Sequence, residues 1–203
     1  MSQAPRERSL VNVGCGARES TRLPRYFDGW RQLRVDVDPR VEPDLIADLT
    51  DLSAIPNESA DAVWASHCVE HLFDHQVKVA LREFRRILRD DGFVCIIVPD
   101  LQSVAEFVAA DRLHEPIYQS VAGAVTPHDV LFGFGPAIAN GNTSMAHHCG
   151  FTPGAMRRHF HGVPFGEVML RRRSQTLELA ALARTIPPRD DAERNSLIAA
   201  LEL

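Results

Sequence analysis

The sequence predicts an α/β protein: a doubly wound, mostly parallel sheet with a C-terminal antiparallel hairpin and trimmed helices in its first half. Three observations carry this. Short apolar runs recur with turn residues between them and do not alternate with polar positions, as strands buried on both faces require. A strongly amphipathic stretch joins the last two of those runs, which makes a βαβ unit. Near the C-terminus, two strand-like runs separated by a short polar turn read as a hairpin.

The elements follow in order. LVNV before Gly14, LRVDV before Asp38-Pro39, LIA before Asp48, AVWA before Ser66 and FVCIIV before Pro99 are the five expected parallel strands. Between Asp38 and Leu45 there is room only for a loop, so a crossover helix is missing there. The helix before FVCIIV shows an apolar stripe of Val77, Ala80, Leu81, Phe84, Ile87 and Leu88. Arg82, Glu83, Arg85, Arg86 and Arg89 take the other side, expected as a solvated face. Asp90-Asp91-Gly92 is expected to end that helix, with Gly92 in the left-handed position. Residues 101 to 113 suit an amphipathic helix through Val104, Phe107, Val108 and Leu113. Residues 114 to 150 are aperiodic and rich in Gly, Pro, Ala, Asn and His, so 101–150 is expected to be a lid or substrate-binding insertion in a single domain spanning 1–203. Thr152-Pro153 opens another helix, Thr as N-cap and Pro in the first turn. GEVMLRRRS and TLELAALAR form the edge hairpin, and the tail from Pro187 is a loop and a short helix.

Composition bounds the function. At 203 residues with 45% hydrophobic content, the chain can bury a sizeable core. A net charge of -5 argues against a nucleic-acid partner, because phosphate neutralisation needs clustered Lys and Arg. Cys15, Cys68, Cys95 and Cys149 are too scattered for a metal knuckle or disulfide framework, and suit reduced thiols in the cytoplasm. The start MSQAPRERSL has no apolar signal core and no run suits a membrane helix, so no membrane association is expected. The oligomeric state is left open.

Three strand ends carry the candidate chemistry. Gly14-Cys15-Gly16 directly follows the first strand, a tight turn whose glycines let backbone amides approach a ligand. The third glycine of a dinucleotide fingerprint is missing, Ala17-Arg18-Glu19 standing there, which counts against a pyrophosphate. About twenty residues on, Val35-Asp36-Val37-Asp38 ends the second strand, where a carboxylate accepts both hydroxyls of a ribose. Asp48-Leu49 ends the third, placed to accept from an exocyclic amine. Each aspartate alone reads as a cap or loop residue. Together, at successive strand ends, they mark the crevice where open α/β sheets bind ligands.

The chain here resembles the class I S-adenosylmethionine-dependent methyltransferases, in particular small bacterial members with a shortened first half. The resemblance rests on VNVGCG, VDVDP, DLIADLTDL, SADAVWASHCVEHL and LREFRRILRDDGFVCIIVPDL, more loosely on HHCGFTPGAMRRHF, and covers roughly 10 to 165. It implies a Rossmann-like fold with S-adenosylmethionine as cofactor. Gly14, Cys15 and Gly16 would cradle the methionine part, Asp36 and Val37 the ribose end, and Asp48 with Leu49 the adenine. Ser66 and His67 would lie beside the sulfonium. The reaction implied is methyl transfer to the oxygen or nitrogen of a small-molecule acceptor, such as a sugar or other metabolite, by in-line displacement, which needs proximity and alignment and no covalent nucleophile.

One motif competes. His67-Cys68-Val69-Glu70-His71 spells H-x-x-E-H, which on a continuous helix holds a metal beside a carboxylate base. His67 follows a strand at once, so no metal ligand is assigned, and Glu70 and His71 are expected in the first turn of the next helix. His67, His71 and His147 remain the candidate bases for an alcohol acceptor. Of the adjacent His147 and His148, at most one can join a site with His67, because neighbours on an extended segment point apart. His128 is a weaker candidate, while His159 and His161 sit near a helix end where imidazolium is favoured. The rival functions are a zinc-dependent hydrolase using His67, His71 and Glu70, and a methyltransferase-like sensor that binds the cofactor without turnover.

Overall fold

The computed structural model describes residues 6–18, 23–120 and 123–203. Residues 1–5 and Glu19 of the run after the glycines lie outside them. Seven strands form one sheet: β1 (Ser9–Val13), β2 (Arg31–Asp36), β3 (Leu45–Ile46), β4 (Ala60–Ser66), β5 (Leu88–Pro99), β8 (Glu167–Arg173) and β9 (Glu178–Arg184), in the order β3-β2-β1-β4-β5-β9-β8. The first five run parallel, β9 runs antiparallel to β5, and β8 pairs antiparallel with β9 and so runs in the direction of the first five. β6 (Tyr118–Ser120) and β7 (Gly123–Val125) make a separate hairpin.

The apolar runs are continuous because both faces of the sheet are covered. Along β4, Val63 and Ala65 join a core with Val77, Leu81 and Phe84 of α1 (Asp74–Ile87), and with Met156 and Phe160 of a helix at Pro153–Phe160. The alternate residues Ala62 and Trp64 join the opposite core with Phe27, Phe93, Cys95 and Leu201. Burying each large apolar side chain of α1 contributes roughly 1.5–3 kcal/mol relative to exposure.

Before β4 there is no α-helix among the described residues, only 3₁₀ turns at Arg25–Phe27 and Pro39–Val41. Tyr26, Phe27 and Trp30 pack edge-on and tilted against one another, and Phe27 also meets Trp64 and Phe93. These rings cover a sheet face that a crossover helix ordinarily covers.

Two local expectations are corrected. α1 ends at Ile87, and Leu88 is already extended at φ -74, ψ 137, paired with Ala60. Pairing resumes only at Phe93 opposite Ala62, so residues 89–92 bulge outward. Gly92 is not left-handed: it is buried where an added Cβ would lie 3.1 Å from the Asp61 carbonyl, so close packing selects the glycine. The arginine face of α1 is not simply solvated either. Arg86 donates to the carbonyls of Leu52 and Ile55 and pairs with Glu83, which accepts the Leu52 N–H. Arg85 reaches the Pro164 carbonyl and Arg89 the Ser59 carbonyl. Guanidinium forks here bind the helix to its neighbouring loops.

α2 (Leu101–Ala109) starts on Asp100, a buried carboxylate that also pairs with Arg172 of β8. The segment after it is structured: β6 and β7, then α3 (Pro127–Phe132), α4 (Gly135–Ala139) and a 3₁₀ turn at Thr143–Met145. It leaves and rejoins the sheet at one place, where the Leu101 N–H donates to the Phe151 carbonyl at 3.0 Å. Gly150 packs there on Leu101, with an added Cβ 2.1 Å from Leu101 Cδ1. α5 is the Pro153–Phe160 helix, and Thr152 caps it by accepting from Ala155 N–H, as the sequence implies. α6 (Asp191–Ala200) ends the chain. Among the described residues, no helix is long and apolar enough to cross a membrane.

Candidate functional site

The strand order reverses direction between β1 and β4, which opens a crevice at their carboxyl ends. Gly14 and Gly16 border it with φ of 59° and 58°, a left-handed backbone that glycine adopts without steric cost. An added Cβ at Gly14 would lie 2.3 Å from Cys68 Cβ, so glycine is what allows the β1 turn to meet the loop after β4. Cys15 is buried and its N–H donates to the Val35 carbonyl.

Asp36 ties the second strand to this turn. One carboxylate oxygen accepts the Gly16 N–H at 2.9 Å and the other the Asp38 N–H at 3.0 Å. Each oxygen keeps a second lone pair for a ligand hydroxyl. Asp38 takes the cap role, accepting the Arg40 N–H and pairing with its guanidinium. Asp48 is exposed and accepts the Thr50 N–H at 2.8 Å, with half-buried Leu49 beside it. Val37, 57% exposed, offers apolar surface next to Asp36.

Arg34 was not singled out by sequence reasoning. It is buried, and its guanidinium donates to the carbonyls of Gly16, Val41 and Glu42, locking the glycine turn to the loop after β2. The available signal was a charge inside an otherwise apolar run.

Ser66 ends β4 opposite Ile97. His67 sits at φ 52°, an uncommon conformation for a side chain of this size. Its Nε2 lies 2.8 Å from Glu178 of β9 and its Nδ1 3.4 Å from Glu70. Partial burial opposes charge on the ring, but the bonds to Glu178 and Glu70 outweigh it and raise its pKa to about 10. An imidazolium with both nitrogens facing carboxylates has no lone pair to accept a proton. His67 thus stands between Glu70 and Glu178, one ring nitrogen facing each.

Glu70 and His71 lie in a 3₁₀ turn, Val69–His71, before α1 and not inside its first turn. Glu70 is 1% exposed; burial alone would raise its pKa, yet the bond to His67 holds it below the ordinary value. His71 Nδ1 meets the Ala146 carbonyl at 3.0 Å, and its ring packs edge-on to His147 with centroids 4.9 Å apart. His147 Nδ1 meets the Val130 carbonyl at 2.8 Å, and burial lowers its pKa. His148 points the other way and stacks on Phe73 at 4.4 Å, as the alternation of an extended segment requires. His147 thus joins His71 and not His67.

Tyr118 of β6 completes this wall. Burial, then the charges of Glu178, Glu70 and Asp129, push its hydroxyl up to about 12. His128 stands apart, its ring near His114 and Phe132. His159 is buried against Phe151 with Asp74 at 3.2 Å, and burial disfavours its charge, so the expected imidazolium at that helix end is corrected. A surface cavity of about 710 Å³ lies at the amino ends of the strands beside Arg6, Trp30, Asp61 and Phe93. Ligands of open α/β sheets bind at the opposite, carboxyl ends, so the crevice is the candidate site.

Comparison with known proteins agrees with this architecture. The fold matches a S-adenosylmethionine-dependent methyltransferase from Archaeoglobus fulgidus at TM-score 0.57 and 14% identity, covering 88% of this chain and 86% of that one. A second, from Methanosarcina mazei, matches at TM-score 0.57 and 11% identity over 90% and 94% of the two chains. The Burkholderia thailandensis 1,6-didemethyltoxoflavin-N1-methyltransferase, solved with 1,6-didemethyltoxoflavin and S-adenosylhomocysteine, matches at 0.52 and 16% over 90% and 72%. A search of curated protein sequences gave no match. The chain thus has the fold of the S-adenosylmethionine-dependent methyltransferases it resembles, and its residues 11–96 match the family model described as a methyltransferase domain.

Proposed function

We propose that the protein transfers the methyl group to an oxygen or nitrogen of a small-molecule acceptor bound between the glycine turn and the 101–150 segment. What supports this reading is the position of Gly14, Gly16 and Asp36 at the carboxyl ends of β1 and β2, where open α/β sheets bind ligands, with Glu70, His71 and His147 clustered beyond the end of β4. The residues present fit S-adenosylmethionine. The turn at Gly14 and Gly16 is open to a ligand backbone-first, Asp36 keeps lone pairs for ribose hydroxyls, and Val37 offers an apolar face for adenine. Asp48 and Leu49 stand at the adenine end, and Ser66 and His67 at the methyl end.

The bound cofactor supplies an electrophilic methyl on a sulfonium with a neutral leaving group. The chain's part is alignment and the handling of a proton. The glycine turn and Asp36 fix one partner, and the 101–150 segment, bearing Tyr118 and His147, encloses the other and excludes water. A hydroxyl acceptor must lose its proton, and that task falls to the wall of His71 and His147. The Burkholderia neighbour, crystallised with a small heterocyclic acceptor, supports a small molecule as the substrate class.

Calorimetric titration with S-adenosylhomocysteine tests the cofactor site, and a panel of small hydroxyl and amine acceptors tests turnover. Micromolar binding with turnover is the expected result. Binding without turnover on any acceptor supports the sensor instead, and no binding at all overturns the assignment of the crevice.

A further inference from the structure

We propose that Glu70, His71 and His147 form a binding site for a divalent transition metal ion, for which Zn²⁺ is the reference probe. One ligand atom from each of the three lies within 4.8 Å of the others. A tetrahedral ion with bonds of about 2.1 Å holds its ligand atoms about 3.4 Å apart, so side-chain shifts of about 1 Å close the set.

Three independent features point to a cation. Both histidines direct Nδ1 at a backbone carbonyl, Ala146 for His71 and Val130 for His147. Donation from Nδ1 leaves the Nε2 lone pair of a neutral ring as the free ligand atom, the arrangement that metal-binding histidines use. Second, Glu70 is 1% exposed, and its Oε2 has no hydrogen-bond partner among the described residues. A buried carboxylate oxygen left unmet is costly, and a cation is the partner that meets it. Third, the other oxygen, Oε1, is already held by His67, itself held by Glu178, which orients the free oxygen as an outer-shell partner does. The two rings meet edge-on at 4.9 Å with the carboxylate beside them, so acceptors face acceptors around one point.

The set of two imidazoles and one carboxylate is that of catalytic zinc sites, which keep a fourth position open. Its use rests on the methyl-transfer reading: with the ion bound, His71 and His147 are its ligands and not bases, and an acceptor hydroxyl entering the open position would be bound as an oxygen ligand and lose its proton to solvent water more readily. The ion replaces a general base, and the pairing differs from the His67–His71 pairing that H-x-x-E-H suggests.

The test is equilibrium dialysis of the metal-stripped full chain against Zn²⁺, with metal analysis, run beside S-adenosylhomocysteine calorimetry. One equivalent at micromolar or tighter affinity is expected. His147→Ala and Glu70→Gln should each weaken binding at least tenfold, while His148→Ala, next in sequence but outside the cluster, should leave it unchanged. Should Glu70→Gln fail to fold, the half-buried His147→Ala still decides. Absence of stoichiometric zinc, or equal affinity in His147→Ala, overturns the proposal. S-adenosylhomocysteine binding without zinc sinks the metal site alone; zinc binding without S-adenosylhomocysteine sinks the methyl-transfer use and leaves the site standing.

Discussion

The two walls of the crevice solve opposite electrostatic problems. On the glycine side, carboxylates meet donors: Asp36 takes two backbone N–H groups, and Arg34 meets three carbonyls. On the histidine side, Glu70, Glu178, His71 and His147 gather acceptors, with His67 the bonded cation between the two carboxylates and Arg173 beyond Glu178. The first wall is complete before any ligand arrives; the second is completed by what binds. On the function proposed above, preorganisation would serve cofactor capture, and the acceptor side would set the chemical choice.

Substitutions can break this contrast on either wall. The largest effect is expected from Gly14→Ala: left-handed backbone strain and a Cβ 2.3 Å from Cys68 Cβ should together remove about 3 kcal/mol or more of stability, seen as a lower urea midpoint, with S-adenosylhomocysteine binding lost. Next is Gly133→Ala. Gly133 has φ 98°, and an added Cβ would lie 2.0 Å from the Met145 carbonyl, so the segment carrying His147 must move. Turnover and Zn²⁺ binding should fall while S-adenosylhomocysteine affinity stays within about twofold; an equal loss of both would mean that the walls are one unit.

Asp36→Ala should weaken S-adenosylhomocysteine binding by about 1.5–3 kcal/mol in calorimetry, with Zn²⁺ affinity untouched. Unchanged cofactor affinity would remove Asp36 from the ribose assignment.

The smallest effect lies away from both walls. Burial holds the His159 pKa below its ordinary 6.5, against the opposing pull of Asp74, with Arg158 and Lys78 also disfavouring the charge. The unfolded chain then binds the proton more readily, so this stability is full above pH 6.5 and is lost as pH falls toward the folded value. His159→Leu should flatten the acid limb of a thermal-melt profile below about pH 6.5 without altering either binding curve.

The glycine wall was legible in sequence because its parts are local. Each strand end carries its own turn or carboxylate, and Gly16 meets Asp36 only 20 residues away. The hairpin and the Thr152 cap were legible for the same reason. The histidine wall was not. Glu178 reaches His67 across 111 positions, and His71 meets the Ala146 carbonyl across 75. A five-residue motif proposed the pair His67–His71, whereas the positive φ of His67 turns its ring to Glu178 and leaves His71 to His147. Arg86 and Gly92 were misread because their partners, the loop carbonyls and Asp61, are invisible to helical periodicity.

The junction at Leu101 and Phe151 has a practical meaning. Those residues are hydrogen-bonded at 3.0 Å, so the segment between them leaves and returns to the sheet with its ends adjacent. Swapping that segment between relatives would change Tyr118 and His147 together while leaving Gly14, Gly16 and Asp36 in place. Under the proposed function, the junction would serve as a crossover point for exchanging acceptor preference on one unchanged sheet.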